Sequence, residues 1–187
     1  MLTVITGPMF SGKSSELISI CKSNMVAGNK TLVFKPASDS RYSLTDIETH
    51  DGKKIPARRL NNHNALSLFD DHSDWLRRSE YGLVAFDEVQ FFNLDLIEVI
   101  DTLIRYCDVD VVCAGLAQDS SGKPFGIMPR LLCMADKITS LTAVCSKCKE
   151  IGKATRTFRK VEGGKQVEVG GADKYEARCL PCWSFDQ

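Results

Sequence analysis

Residues 7–14, Gly-Pro-Met-Phe-Ser-Gly-Lys-Ser, match the pattern G-x-x-x-x-G-K-[ST] in full, and a loop of this kind works only between a buried strand and the first turn of a helix. Gly7 and Gly12 lack a Cβ, so the chain can wrap closely around phosphate oxygens while the N–H groups of residues 10–14 converge at the positive end of a helix. The flanks agree. Residues 2–6 form an apolar strand, and residues 14–27 form a helix in which Leu17, Ile18, Cys21 and Met25 recur near the 3.6-residue period, with Gly28 as its stop. In such a loop Lys13 reaches the β- and γ-phosphates, and Ser14 ligates the Mg²⁺ that accompanies them. The motif implies a bound nucleoside triphosphate.

With 187 residues the chain suits one domain, or one domain with a small appendage. Basic and acidic residues balance at 24 each, so no global field draws in nucleic acid or an anionic membrane. Apolar runs such as residues 109–116 fall far short of the roughly 20 residues of a membrane span. No export signal precedes the first strand, and the expected location is the cytoplasm. Thiols stay reduced there, so the eight cysteines need another account than disulfides. Cys21, Cys107, Cys113 and Cys133 lie in apolar patterns and read as small buried hydrophobes.

Further apolar runs occupy residues 31–36, 82–86, 110–116 and 137–144, and the amphipathic stretch 94–106 lies among them. All four read as buried parallel strands, and their alternation with helices predicts an α/β domain with a parallel sheet. Residues 39–57, polar and without period, read as a long surface loop. Residues 155–160 and 166–169 alternate in strand fashion around Gly163-Gly164, which predicts a hairpin.

Two constellations carry chemistry. The run 83–86 ends in Asp87-Glu88, which suits Asp87 to hold the hydrated Mg²⁺ and places Glu88 near the γ-phosphate. A carboxylate is a weak base toward a hydroxyl, so Glu88 reads as an orienter first and a base second. The competing reading is a helix-capping Asp followed by a surface Glu. Cys145-Ser-Lys-Cys148 and Cys179-Leu-Pro-Cys182 flank the hairpin, a spacing at which four thiolates converge on one structural Zn²⁺. Here the competing reading is redox-active dithiols. Arg41-Tyr42 and residues 123–126, taken alone, are solvated loop segments.

Assembled in order, residues 7–14, Asp39-Ser-Arg-Tyr42, Asp87-Glu-Val-Gln-Phe-Phe92, Gly122-Lys-Pro-Phe-Gly126, Leu141-Thr-Ala-Val-Cys145 and Val169-Gly-Gly-Ala-Asp-Lys-Tyr175 resemble the thymidine kinases of the type that includes the cellular cytosolic enzyme and bacterial and viral relatives. The resemblance runs nearly end to end. It implies a P-loop NTPase (RecA-like) α/β fold, a parallel sheet with helices on both faces, over residues 1–144, and a zinc-binding hairpin or lasso domain over residues 145–187. The implied reaction is transfer of the γ-phosphoryl of ATP to the 5′-hydroxyl of thymidine or deoxyuridine.

In that scheme Glu88 takes the catalytic-base position. Gly7, Pro8, Met9, Phe10, Ser11, Gly12, Lys13 and Ser14, with Arg41, Asp87 and Gln90, hold ATP and Mg²⁺. Met9, Phe91, Leu116, Ser120 and Phe125 wall the nucleoside, and Val167, Glu168, Val169, Gly170, Gly171 and Tyr175 close over it. Cys145, Cys148, Cys179 and Cys182 hold one zinc per chain. The resemblance also implies a homotetramer and inhibition by thymidine triphosphate, with neither nucleic acid nor membrane as partner. The sequence departs from the family at Val89, at Ala117, where an acid is usual, and at Ser120, where a Phe is usual. Two other classes compete: a P-loop ATPase whose zinc ribbon grips nucleic acid, and a silent nucleotide-binding regulator with residues 39–57 as its switch.

Overall fold

The computed structural model describes residues 1–38, 45–49, 52–69, 81–161 and 170–184. Among them, β1 (Leu2–Thr6), β2 (Lys30–Pro36), β5 (Arg58–Leu60), β6 (Tyr81–Phe86), β7 (Asp110–Gly115) and β8 (Lys137–Ser140) form one sheet in the order β5-β2-β6-β7-β1-β8. Every pairing in it is parallel. The strand that feeds the P-loop is therefore separated by β7 from β6, whose last residue Phe86 leads into Asp87.

Both faces of this sheet are covered, which is why its central strands read as unbroken apolar runs. On β1, Val4 enters one core with Phe34, Phe86, Leu96, Ile100, Leu103, Met128 and Leu131. Its neighbour Ile5 enters the other, with Leu17, Ile18, Cys21, Val33, Ala85 and Val112. The first core lies under α2 (Asp95–Tyr106) and α3 (Met128–Met134), the second under α1 (Lys13–Val26). Phe34 and Phe86 stack across the β2–β6 pair with ring centroids 5.5 Å apart.

The structure departs from the sequence reading at several elements. The expected loop at residues 39–57 contains an antiparallel pair, β3 (Asp46–Glu48) and β4 (Lys54–Pro56), which drops Ile47 and Ile55 into the second core. The expected buried strand at 137–144 is instead the short edge strand β8, and Ile138 on it is 51% exposed. With a neighbour on one side only, it lacks the cover that makes a run fully buried. Cys133 is exposed and Cys107 half-buried, whereas Cys21 and Cys113 are buried as expected. On α3 the inward residues are Met128 and Leu131, and Cys133, two positions past Leu131, turns away from that stripe.

Beyond β8 the chain builds a separate small unit. β9 (Arg156–Arg159) pairs antiparallel with β10 (Tyr175–Arg178), and the short helix α4 (Leu180–Ser184) follows. The predicted hairpin thus has Tyr175–Arg178 as the partner of β9, and the expected partner, residues 166–169, lies outside the described residues. Among the described residues its apolar cluster consists of Ala143, Cys145, Ala154 and Ala177, with Cys179 and Cys182 packed against it. Among the described residues no helix is long and apolar enough to cross a membrane.

Candidate functional site

The P-loop leaves β1 at Gly7, where a Cβ would lie 2.5 Å from the carbonyl oxygen of Leu141. Glycine is obligatory there because that neighbour is backbone. Gly12 caps α1 in the left-handed region (φ 84°), a conformation that costs glycine almost nothing. Lys13 is buried and its Nζ donates to the carbonyl of Pro8 at 2.8 Å, so the ammonium lies folded across the loop that would receive phosphates.

Ser14 Oγ donates to Asp87 Oδ2 at 2.9 Å. The contact brings the first turn of α1 to the end of β6 although β7 intervenes in the sheet. Asp87 is 5% exposed. Burial and the adjacent Glu88 charge push its carboxyl up to about 7, against the lowering influence of the Ser14 hydroxyl, the Glu88 N–H and Lys13. A carboxylate held this far from water is poised to exchange its proton for a cation.

Glu88 adopts φ 52°, ψ 41°, a left-handed conformation uncommon outside glycine. Two contacts hold it there: its N–H donates to Asp87 Oδ1 at 3.0 Å, and its Oε2 accepts from Gln90 Nε2. Gln90 is 3% exposed, and its Oε1 accepts the N–H of Leu116 at 3.0 Å. One amide therefore orients the Glu88 carboxylate and ties it to the end of β7.

Beside Glu88, the Phe91 and Phe125 rings meet edge to face with centroids 5.8 Å apart and planes at 89°. Phe125 and Leu116 are buried. The segment that carries Phe125 is pressed on the same glutamine: Gly126 sits at φ 53°, where a Cβ would overlap the Gln90 carbonyl. Asp119 shapes this segment by accepting the N–H groups of Ser121 and Lys123, both at 2.9 Å.

A cavity of about 250 Å³ separates the P-loop from the C-terminal unit, lined among others by Gly7, Pro8, Ala117, Leu141, Arg156 and Thr157. Thr6 Oγ1, at its floor, is buried without a hydrogen-bond partner among the described residues. Met9 reaches across from the loop, its N–H donating to Thr157 Oγ1 at 3.0 Å. Tyr175 is buried in β10 and its hydroxyl accepts from Arg159 Nη2 at 3.2 Å. Gly170 and Gly171 precede it, with the Gly171 N–H on Asp173 Oδ1 at 3.0 Å. Arg41, Val167, Glu168 and Val169 lie outside the described residues.

The structure brings together Ser14 of the P-loop, Asp87, Glu88, Gln90, Phe91, Leu116 and Phe125, residues that the resemblance assigns to one site. It adds Thr157, Asp119 and Trp183. Thr157 gives a faint signal as a polar residue inside a strand-like alternation. Asp119 gives only a turn signal, and Trp183 gives none.

The Sγ atoms of Cys145, Cys148, Cys179 and Cys182 all lie within 4.8 Å of one another, with Cys148 and Cys179 at 3.8 Å. Tetrahedral zinc with bonds of about 2.3 Å requires sulfurs about 3.8 Å apart, so the four thiols fit the metal. Around Cys145, burial raises the thiol pKa, but N–H groups of Cys179, Cys148 and Lys147 and the Cys148 thiol bring it down to about 6. Cys182 is pushed up to about 12, first by its hydrogen bond with Cys179 and then by burial and the other thiols. Cys145 thus gives up its proton readily, whereas Cys182 does so readily only in exchange for a cation.

The family model described as thymidine kinase matches residues 1–183. Thymidine kinase from Mesomycoplasma hyopneumoniae (strain 7448) is 41% identical over 185 residues, 99% of this chain and 96% of that protein. Thymidine kinase from Mycoplasma mobile is 41% identical over 182 residues, 97% of this chain and 86% of that protein. Among solved structures, the replication initiator DnaA bound to AMPPCP and single-stranded DNA is 12% identical with a TM-score of 0.44, and covers 75% of this chain and 40% of that one; a likeness that low carries no weight here. With a family match over almost its whole length and relatives this similar, the chain belongs to the thymidine kinase family.

Proposed function

We propose that the chain transfers the γ-phosphoryl of ATP to the 5′-hydroxyl of thymidine or deoxyuridine, giving ADP and the nucleoside monophosphate. The observation that carries the reading is the Ser14–Asp87 hydrogen bond with the Glu88 carboxylate beside it, oriented by Gln90. A phosphate loop and a cation-ready acid sit on one side of Glu88, and an apolar wall for a base sits on the other.

Mg²⁺ fits the hydroxyl and carboxylate oxygens of Ser14 and Asp87, and when bound it supplies charge neutralisation across the β- and γ-phosphates. The P-loop amides and Lys13 grip the triphosphate. To do so, the Lys13 ammonium leaves the Pro8 carbonyl. Glu88 accepts a hydrogen bond from the 5′-hydroxyl and aims its oxygen at the γ-phosphorus; as the new P–O bond forms and the bond to ADP breaks, the hydroxyl proton passes to Glu88. Gln90 keeps the carboxylate in line throughout. Phe91, Leu116 and Phe125 exclude water from the acceptor side.

The chain divides, in this reading, into an ATP-binding unit over residues 1–144 and a zinc-binding lasso over residues 145–187, supported by the separate small core of the latter. Zinc on four thiolates has no open position and serves structure alone. The lasso residues Val167, Glu168, Val169, Gly170, Gly171 and Tyr175 cover the base, Met9 and Ser120 border it, and Arg41 neutralises phosphate charge. Family membership supports, further, a cytoplasmic homotetramer inhibited by thymidine triphosphate.

Incubation with ATP, Mg²⁺ and a panel of deoxynucleosides tests the reading. Monophosphate is expected from thymidine or deoxyuridine above the other nucleosides, and its absence from both would overturn the proposal.

A further inference from the structure

The indole N–H of Trp183 lies 3.2 Å from the carbonyl of Ser120 and 3.2 Å from that of Thr157. It is shared between two segments, the loop that follows β7 and the strand β9. Trp183 comes directly after the thiol residue Cys182, and its own N–H donates to the Cys179 carbonyl at 2.9 Å. The Cys182 carbonyl accepts Arg178 Nη1 at 3.2 Å, and the Arg178 guanidinium lies 3.4 Å from the centre of the Phe158 ring. The indole thus projects from a turn that is fixed to the cysteine cluster on one side and to β9 on the other.

The loop it reaches, residues 117–125, carries Ser120-Ser121-Gly122 at its tip. The loop's own bonds, Asp119 to Ser121 and Lys123 and the Phe125 N–H to the Ala117 carbonyl at 3.1 Å, set its shape. Its far end is fixed where Gly126 meets Gln90. Its tip meets the indole: a Cβ on Gly122 would stand 3.1 Å from the Trp183 ring. The second carbonyl belongs to Thr157, whose hydroxyl accepts the Met9 N–H of the P-loop.

We propose that Trp183 is a positioning residue: its shared N–H sets the acceptor loop 117–125 against β9 and so transmits the order of the cysteine cluster to the nucleoside side of the site. The proposal rests on the phosphotransfer reading above. It separates the two substrates, because the loop follows directly on Leu116 and ends in Phe125, whereas the groups that grip phosphate come from residues 7–14 and Asp87.

Trp183→Phe keeps an aromatic ring but removes the N–H together with the five-membered ring that carries it. The expected result is a KM for thymidine raised about 5- to 10-fold, the loss of one well-placed hydrogen bond or slightly more, with the KM for ATP and kcat changed less than about twofold. Zinc content stays at the wild-type value. An unchanged thymidine KM would overturn the proposal, as would an equal rise in both KM values accompanied by loss of zinc, which marks a purely structural residue. If the variant fails to fold, the Trp75→Phe protein keeps Trp183 as its one tryptophan, and thymidine binding is expected to shift the emission of that indole. Emission unmoved at saturating nucleoside would overturn the proposal too. A wild-type protein inactive on every nucleoside condemns the functional reading instead, and the same titration across the nucleoside panel then decides whether the indole answers to an acceptor.

Discussion

Glu88 is the residue at which the two halves of the site meet, and its backbone tells more than its position in the chain. An L-residue at φ 52° holds that conformation only where its surroundings over-determine it. Here the surroundings are the Asp87 carboxylate on its N–H and the Gln90 amide on its own carboxylate. Glu88→Gln preserves size and can still accept from Gln90, so the fold and the P-loop stay as they are. The expected outcome is a turnover lower by a factor of about 10² to 10⁴ with nearly unchanged ATP affinity. Single-turnover kinetics and nucleotide titration measure the two separately, and unchanged turnover removes Glu88 from the mechanism. That an acid would stand here was legible from the apolar run that ends in Asp87-Glu88. The clamp was not, because Gln90 draws its orienting partner from Leu116, 26 residues on, and no local pattern encodes that meeting.

At the scale of elements, legibility tracks length and cover. β1, β2, β6 and β7 are buried on both faces and read directly from their apolar runs. β3, β4 and β5 have three residues each, too few for a period, and β3 and β4 bury one side chain apiece. The run 137–144 misled because three of its four apolar residues, Leu141, Ala143 and Val144, lie beyond the strand, and β8 itself, Lys-Ile-Thr-Ser, pairs at an edge. The acceptor loop is another element defined by tertiary contact: Gly126 is left-handed at φ 53° and its missing Cβ makes room for the Gln90 carbonyl. Gly126→Ala must strain a left-handed residue and displace backbone, with an expected loss of about 1–3 kcal/mol in urea denaturation. Gly122→Ala is also left-handed, at φ 75°, but meets only the rim of the Trp183 ring, which can shift, and should cost less. Equal losses would show that the Gln90 carbonyl does not confine this loop.

At the scale of the molecule, the three cores are unequal, and the inequality predicts what metal removal does. The α/β body rests on two large apolar clusters with helices on both faces. Among the described residues, the apolar cluster of the C-terminal unit has four small members, one of them Cys145, and the one large buried apolar side chain beside it is Tyr175. Ordering each residue costs about 1.5 kcal/mol, and burial of three alanines, a cysteine and Tyr175 falls far short of that for β9, β10 and their connections. A four-thiolate zinc site contributes about 10–16 kcal/mol of apparent binding energy to folding, enough to offset the deficit. Metal analysis of dialysed protein is therefore expected to find about one zinc per chain. Stripping it with a strong chelator should unfold β9 and β10 while the parallel sheet and its helices persist, visible as far-UV circular dichroism that is mostly retained. ATP binding should survive, because its ligands lie in the body. Phosphorylation of thymidine should not, because the roof of the cavity, Thr155, Arg156 and Thr157, and the indole on the acceptor loop leave together. A metal-free protein that keeps its hairpin and its activity would refute the four-thiolate site, and a protein whose whole sheet melts with the zinc would refute the independence of the two units.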